Sequence, residues 1–276
     1  MKKSILSFLC LGLLFYTTAC SDNDVDPQTE YDMTPAASVS ESENAVQDAL
    51  LTADDAFDGS NDGVSGGRIA VCAAISADTI TKTVVIDFQN GCTGYGGRTR
   101  SGKITIHYEG TRKVSTKRTI TYENYALQGT NGSYSLNGTF SASYAYTSSG
   151  YSYTVSASNI DLTLSGGESF TIDSFNRTFV VNTHSTVKDV SDDTITITGN
   201  SLNTDSTGKK TTVTISNDNP IVSKGSCLSS GIYYPASGDY TISDGTVTYQ
   251  VSWGSGTCDK EITITVGKQT VTKTLP

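Results

Sequence analysis

Charge is scarce in this chain of 276 residues, with 17% of positions Asp, Glu, Lys or Arg where a globular protein usually has about a quarter. Tryptophan occurs once, histidine twice and proline five times. Ser, Thr and Gly stand in the vacated positions. That composition excludes a coiled coil, a helical bundle and a collagen helix, none of which tolerates so much β-branched Thr and so many scattered turn residues. Long apolar runs are also missing. The single continuous one lies near the N-terminus, which excludes a polytopic membrane protein. What is abundant is tyrosine, 15 residues, and glycine, 26 residues. The length allows one large domain or two small ones with a buried core.

Residues 1–19 read as a signal peptide. Lys2 and Lys3 form a positive n-region, Ile5 to Tyr16 an apolar stretch, and Thr17-Thr18-Ala19 precedes Cys20. The apolar run is about a dozen residues, too short for a membrane span of ~20. Residues 20–63 read as an acidic tether. Asp22 to Asp62 holds 12 of the 28 acidic residues and no Lys or Arg, whereas Gly63 onward carries 16 acidic and 17 basic residues. The formal charge of −9 therefore belongs to the N-terminal segment, and a solvated stalk is its simplest reading. Within it, one short helix is expected over 41–57. Ser40 or Ser42 would cap it, and Ala45, Val46, Ala49, Leu50, Ala53 and Phe57 are spaced three or four apart. Asp58, Ser60, Asp62 and Gly63 have the residue types that open a calcium loop, but Ile69 stands where its bidentate Glu belongs. A turn is expected there, and no metal or cofactor.

From residue 64 to the end the pattern is strands only. Val84, Ile86 and Phe88 alternate, as do Ile104, Ile106 and Tyr108, then Ile120 and Tyr122. Phe179 and Val181, Ile195 and Ile197, Val213 and Ile215, Val247 to Trp253, and Ile262 to Val266 continue it. Polar residues fill the alternate positions, the mark of sheets with one buried face. Turn signals recur at Asn131-Gly132, Asn137-Gly138, Ser149-Gly150, Gly166-Gly167, Asp244-Gly245 and Gly267-Lys268. The expected fold is all-β, an antiparallel meander forming a sandwich or an open rolled barrel. Residues 64–276 form this β domain, in one piece or two halves.

Cys10 leaves with the signal and Cys20 stands at its cleavage site, so Cys72, Cys92, Cys227 and Cys258 remain for the folded domain. An even number in an oxidising compartment implies two disulfides, with three connectivities open. Cys72–Cys92 and Cys227–Cys258 are favoured, because each pair brackets a hairpin turn. No CxxC spacing supports zinc.

Catalytic chemistry is thinly represented. His107 lies opposite the apolar face of its strand, His184 sits near a strand end, and no G-x-S-x-G, H-E-x-x-H or phosphate loop occurs. Asp192 and Asp193, adjacent on a strand, would point to opposite faces. The strongest charge feature is a basic cluster, Arg98, Arg100, Lys103, Arg112, Lys113, Lys117 and Arg118. It suits an anionic glycan, the chain's own acidic segment, or a guarded sheet edge. Tyr144, Tyr146, Tyr151 and Tyr153 form the candidate ligand-binding strip. Residues two apart share a strand face, and a hairpin turn at Ser149-Gly150 would bring the two pairs together. Aromatic rings with Ser and Gly between them can stack on sugars, and can equally pack across strands.

The Cys20 region resembles the bacterial lipobox, with Thr17 where Leu is usual. Ser21 to Asp26 resembles the acidic stretch behind the lipidated Cys of surface-exposed Bacteroidetes lipoproteins. Ile86-Asp87-Phe88 through Gly91-Cys92-Thr93, Arg98 to Ile104, and Gly256-Thr257-Cys258-Asp259 resemble segments of lipoproteins from the same phylum. The resemblance implies a β architecture, a lipid anchor in the outer membrane facing the cell exterior, and no particular activity. The expected function is a binding or structural module, not an enzyme. Its partner would be polysaccharide or another envelope component, with no nucleic acid. A carboxylate-dependent glycan hydrolase is the alternative.

Overall fold

The structure is a computed structural model and describes residues 30–59, 72–94, 97–111, 115–129, 132–183 and 191–276. The expected signal peptide, Cys20, the Ser60–Gly63 part of the calcium-like turn, Arg112, Lys113 and His184 lie outside the described residues. By compactness the chain divides into Met1–Tyr31 and Asp32–Pro276.

Among the described residues, the second unit is one antiparallel sheet of 16 strands with a long helix inside it. Helix α1 spans Thr34–Gly59. The N-terminal half of the sheet contains β1 (Ala74–Asp78), β2 (Thr83–Asp87), β3 (Cys92–Thr93), β4 (Thr99–Tyr108), β5 (Lys117–Gln128), β6 (Tyr134–Thr147), β7 (Gly150–Ala157) and β8 (Ile160–Leu164). The remainder is β9 (Ser169–Asn182), β10 (Thr194–Asp205), β11 (Lys210–Ile215), β12 (Ile221–Lys224), the short helix α2 (Gly225–Ser229), β13 (Ser237–Ser243), β14 (Thr248–Ser255), β15 (Glu261–Val266) and β16 (Gln269–Thr274). Strand order follows chain order. Three lanes are shared end to end: β2 and β3 both pair β4, β7 and β8 both bridge β6 to β9, and β11 and β12 both bridge β10 to β13. The expected meander is present, as a single rolled sheet in place of two packed ones.

The alternating apolar positions face inward as expected, with Ile86, Ile104, Ile106, Phe140, Val213, Val251 and Ile264 fully buried. Expected turns form at Ser149-Gly150, Gly166-Gly167, Asp244-Gly245 and Gly267-Lys268. Asn137-Gly138 is different, because it lies inside β6. There β5 carries one residue more than either neighbour: its register slips against β4 beside Gly102 and against β6 beside Asn137. The Asn137 side chain accepts the Asn124 backbone N–H at 2.6 Å, and a Cβ on Gly102 (φ +81) would collide with the Asn124 carbonyl. This bulge moves the inward phase of β5 by one residue. Arg118, Ile120 and Tyr122 face in before it, and Tyr125 and Leu127 after it.

The helix departs most from expectation. It begins seven residues earlier than 41, with the Thr34 N–H held by the Asp32 carboxylate at 2.9 Å and Pro35 in the first turn. Ser40 and Ser42 are not caps. Both are buried inside the helix, where their hydroxyls donate to the Ala36 and Val39 carbonyls. Nor is the helix part of a tether over residues 20–63. It is buried nearly all round: Ala36, Ala49, Ala53, Ala56 and Phe57 have no exposed surface, and Asp48 and Asp54 are 4% exposed. Burial of a helix on every side requires the sheet to curl about it. Its small residues let the strands approach. The physical reason for the correction is charge pairing: a carboxylate among arginines is not the free, solvated charge of a stalk.

Candidate functional site: a buried carboxylate and arginine core

Three acidic residues of α1 carry the polar contacts of the interior. At 100° per residue, Asp48 lies about 140° round the helix from Glu43, while Asp54 returns to within about 20° of it. Their partners accordingly come from separate parts of the roll. Asp48 takes a bidentate pair from Arg98, Nη1 to Oδ1 and Nη2 to Oδ2, both at 2.8 Å. Tyr134 adds its hydroxyl at 2.9 Å. The Arg98 guanidinium also lies 4.0 Å over the Tyr233 ring. Next to it, Arg100 Nε donates to the Tyr125 hydroxyl at 3.2 Å, and the Tyr122 hydroxyl donates to the Ala49 carbonyl at 2.8 Å.

Asp54 is the second hub. Arg118 Nη1 donates to its Oδ1 at 2.5 Å, Tyr144 to the same oxygen at 3.0 Å, and Tyr151 to Oδ2 at 2.8 Å. The Arg118 guanidinium is sandwiched between the rings of Phe57 and Tyr144, at 3.8 and 4.0 Å. Glu43 is the third, receiving Arg177 Nη2 at 2.6 Å on Oε2 and Ser201 at 2.5 Å on Oε1.

Electrostatics fix the protonation states of this core. Burial pushes the Asp48 carboxyl upward, but Arg98, then Arg100 and Tyr134, outweigh it and hold the group at about 2. Burial raises the hydroxyls of Tyr122, Tyr134 and Tyr144 well above the ordinary tyrosine value. Asp48 therefore stays ionised and these tyrosines stay neutral across the physiological range, so they act as fixed charges and donors. Such pairs offset their own desolvation best when the buried oxygens and protons are all answered: both Asp48 oxygens are, while Arg98 Nε has no hydrogen-bond partner among the described residues.

The basic cluster thus divides by parity. Arg98, Arg100 and Arg118 point inward, each no more than 3% exposed. Lys103 and Lys117 point outward to Glu123 and Glu109, at 3.6 and 3.7 Å with their side chains largely exposed. Of the three destinations the sequence allowed, the inward arginines meet the chain's own acidic segment. A signal for this was present: Arg100 shares parity with Ile104 and Ile106, Arg118 with Ile120, and Arg177 with Phe179. Arg177, Glu43, Asp48 and Asp54 are not among the sequence candidates, because short-range spacing does not mark which charged residue on an inward face has a distant counter-charge.

The four candidate tyrosines do come together across the Ser149-Gly150 turn, with Tyr144 opposite Tyr153 and Tyr146 opposite Tyr151. Tyr144 and Tyr153 stack at 4.8 Å, and Tyr153 stacks on Phe179 at 4.6 Å. The face they share is the inner one. Tyr144 and Tyr153 are buried, two of the hydroxyls serve Asp54, and Tyr146 alone is well exposed, at 42%. As an open stacking strip the quartet is therefore corrected: Tyr144 and Tyr153 belong to the core and Tyr151 is half-buried, because the helix covers that face, while Tyr146 stays exposed at its margin.

Both disulfides form as expected. Cys72–Cys92 closes the base of the β1–β2 hairpin, and Cys227–Cys258 ties α2 to the β14–β15 turn around the β13–β14 hairpin. Zinc has no claim on these four sulfurs. His107 is exposed on β4. Asp192 is exposed and Asp193 half-buried just before β10. Among the described residues no group of three His, Cys, Asp or Glu gathers as a metal site. A cavity of about 30 Å³ remains beside α1, lined by Glu43, Asn44, Arg177, Phe179, Tyr240 and Trp253. Among the described residues, Asn44 Oδ1 and Arg177 Nη1 have no hydrogen-bond partner. Its size suits one or two waters and no organic ligand. Comparison with family models, curated proteins and solved structures finds no match to this chain.

Proposed function

We propose that the chain is a lipoprotein, anchored through Cys20 to the outer membrane and facing the cell exterior, where the rolled sheet serves as a binding or structural module. The Bacteroidetes-type signal and the acidic stretch after Cys20 support the address. The observation that carries it furthest is the pair of disulfides, which suits a chain exported to an oxidising compartment. The module reading rests on the filled interior. With α1 along the axis of the roll and Asp48 and Asp54 bound to arginines, recognition of polysaccharide or another envelope component falls to outward surfaces. The hydrolase alternative needs two carboxylates in an open cleft, and these two are committed to holding the helix.

Two measurements test the address. Metabolic labelling with a fatty acid should mark the full chain and should be lost in Cys20→Ala. Protease added to intact cells should digest the chain along with a known surface marker. Labelling that survives Cys20→Ala, or protection while the marker is cut, overturns the reading.

A further inference from the structure

The two ends of the sheet are built differently. At one end β16 pairs only with β15 among the described residues, and its Lys273 stands opposite buried Ile262 on the inner face. A charge turned inward on an edge strand is a known guard against further strand pairing. At the other end β1 pairs only with β2 among the described residues and has no such guard. Its residues, Ala74-Ile75-Ser76-Ala77-Asp78, contain no Lys, Arg or Pro and run without a bulge. The single charge is already engaged, since the Asp78 carboxylate accepts the Ile80 and Thr81 backbone N–H groups at 2.8 and 3.2 Å. All five residues are exposed on both faces. Ile75 is 38% exposed, and Ile80 at the hairpin tip is 92% exposed. The Cys72–Cys92 bond clamps the hairpin base, so this edge is held extended in advance of any partner.

We propose that β1 is a self-association edge, at which two copies of the chain pair antiparallel about a two-fold axis through Ser76. The strand is self-complementary in that register. Ile75 and Ala77 stand opposite buried Ile86 and Val84 in β2 and so share the inner face. The two-fold places Ile75 of each copy opposite Ala77 of the other, so four apolar side chains meet on one side. On the other side Ser76 meets Ser76, and Asp78 meets Ala74, so no like charges are opposed. The contact is isologous and closes at two copies. Pairing β1 with β16 of another copy would instead bring Lys273 against the Ile75 face and would leave both outer edges open. Two five-residue strands bury less than the ~1,200 Å² of a standard interface, so the dimer is weak and depends on concentration.

The register gives a direct test in the full chain. Opposed residues in an antiparallel pair have Cα atoms roughly 4.5–5.5 Å apart, within the reach of a disulfide. Ser76→Cys, oxidised mildly in the cell envelope, should give a reducible dimer on a non-reducing gel. Thr272→Cys on the other edge should give at least tenfold less. Adding Ile75→Lys to Ser76→Cys should reduce the dimer about tenfold. The unmodified chain should show a sedimentation coefficient that rises with concentration, and Ile75→Lys should abolish that rise. Equal cross-linking at Ser76 and Thr272, insensitivity to Ile75→Lys, or a monomer at every concentration overturns the proposal. So does capture of β1 by an extended segment of a different protein in place of the second copy.

Discussion

Replacing Asp48 by Asn removes one charge and almost no volume, which isolates the electrostatic role of the helix. In the folded protein Arg98 would keep its place, 2% exposed, with no carboxylate to answer it. An uncompensated buried charge costs about 3–5 kcal/mol. At about 2–4 °C per kcal/mol for a unit of this size, the midpoint of thermal unfolding should fall by roughly 6–20 °C. Denaturant titration followed by the fluorescence of the single, buried Trp253 gives the same quantity at 25 °C. Arg98→Met in the same chain should recover much of the loss, because the neutral Asn–Met pair leaves no buried charge unanswered. pH provides an independent check with a definite sign. The folded Asp48 carboxyl titrates at about 2 against an ordinary value of 3.8. Its contribution, on the order of 2 kcal/mol, is complete above about pH 4 and is lost as the pH falls toward 2. The native chain should therefore lose stability across that window more steeply than Asp48→Asn. A loss under 1 kcal/mol at pH 7, or identical acid slopes, would refute the account of the core.

Particular contacts set three further outcomes. Replacing both cysteines of one disulfide by serine should cost about 3 kcal/mol for Cys72–Cys92 and about 4 for Cys227–Cys258, by loop closure over separations of 20 and 31 residues; a denaturant series measures both, and a cost below 1 for either would show that its loop is held by packing. Gly102→Ala should destabilise by more than 1 kcal/mol, since it meets both a positive φ and the Asn124 carbonyl, whereas Gly245→Ala has the positive φ alone, with open space around its Cβ, and should cost less. Tyr144→Phe should cost roughly 1.5–3 kcal/mol by removing a donor to the charged Asp54, and Tyr146→Ala less than Tyr144→Ala; the reverse order would place Tyr146, not Tyr144, in the core.

Much of the sheet was legible in the sequence because strand periodicity is local. The alternation around Ile104, Ile120 and Ile262 marks the inner face whatever the partner strand, and Ser149-Gly150 places the turn that sets Tyr144 against Tyr153. Asn137-Gly138 misled for an equally physical reason. The same permissive pair suits a hairpin turn and a strand that must accommodate a neighbour's bulge, and the extra residue of β5 lies on a different segment.

By itself the sequence determined the fold class and which side chains share a face, and it favoured the disulfide pairs that form. Each follows from short-range spacing, from turn chemistry, or from the few ways four cysteines can pair across hairpins. Only the tertiary structure decided what lies inside the roll. Residues 34–59 are acidic and polar enough to read as a solvated stalk, and Arg98, Arg118 and Arg177 are charged enough to read as surface. Each is costly to bury alone and tolerable to bury together. Such a pairing depends on positions 50, 64 and 134 residues apart in sequence, which neither periodicity nor composition can bring into contact. The solvated helix became a core element because the sheet that encloses it supplies the counter-charges.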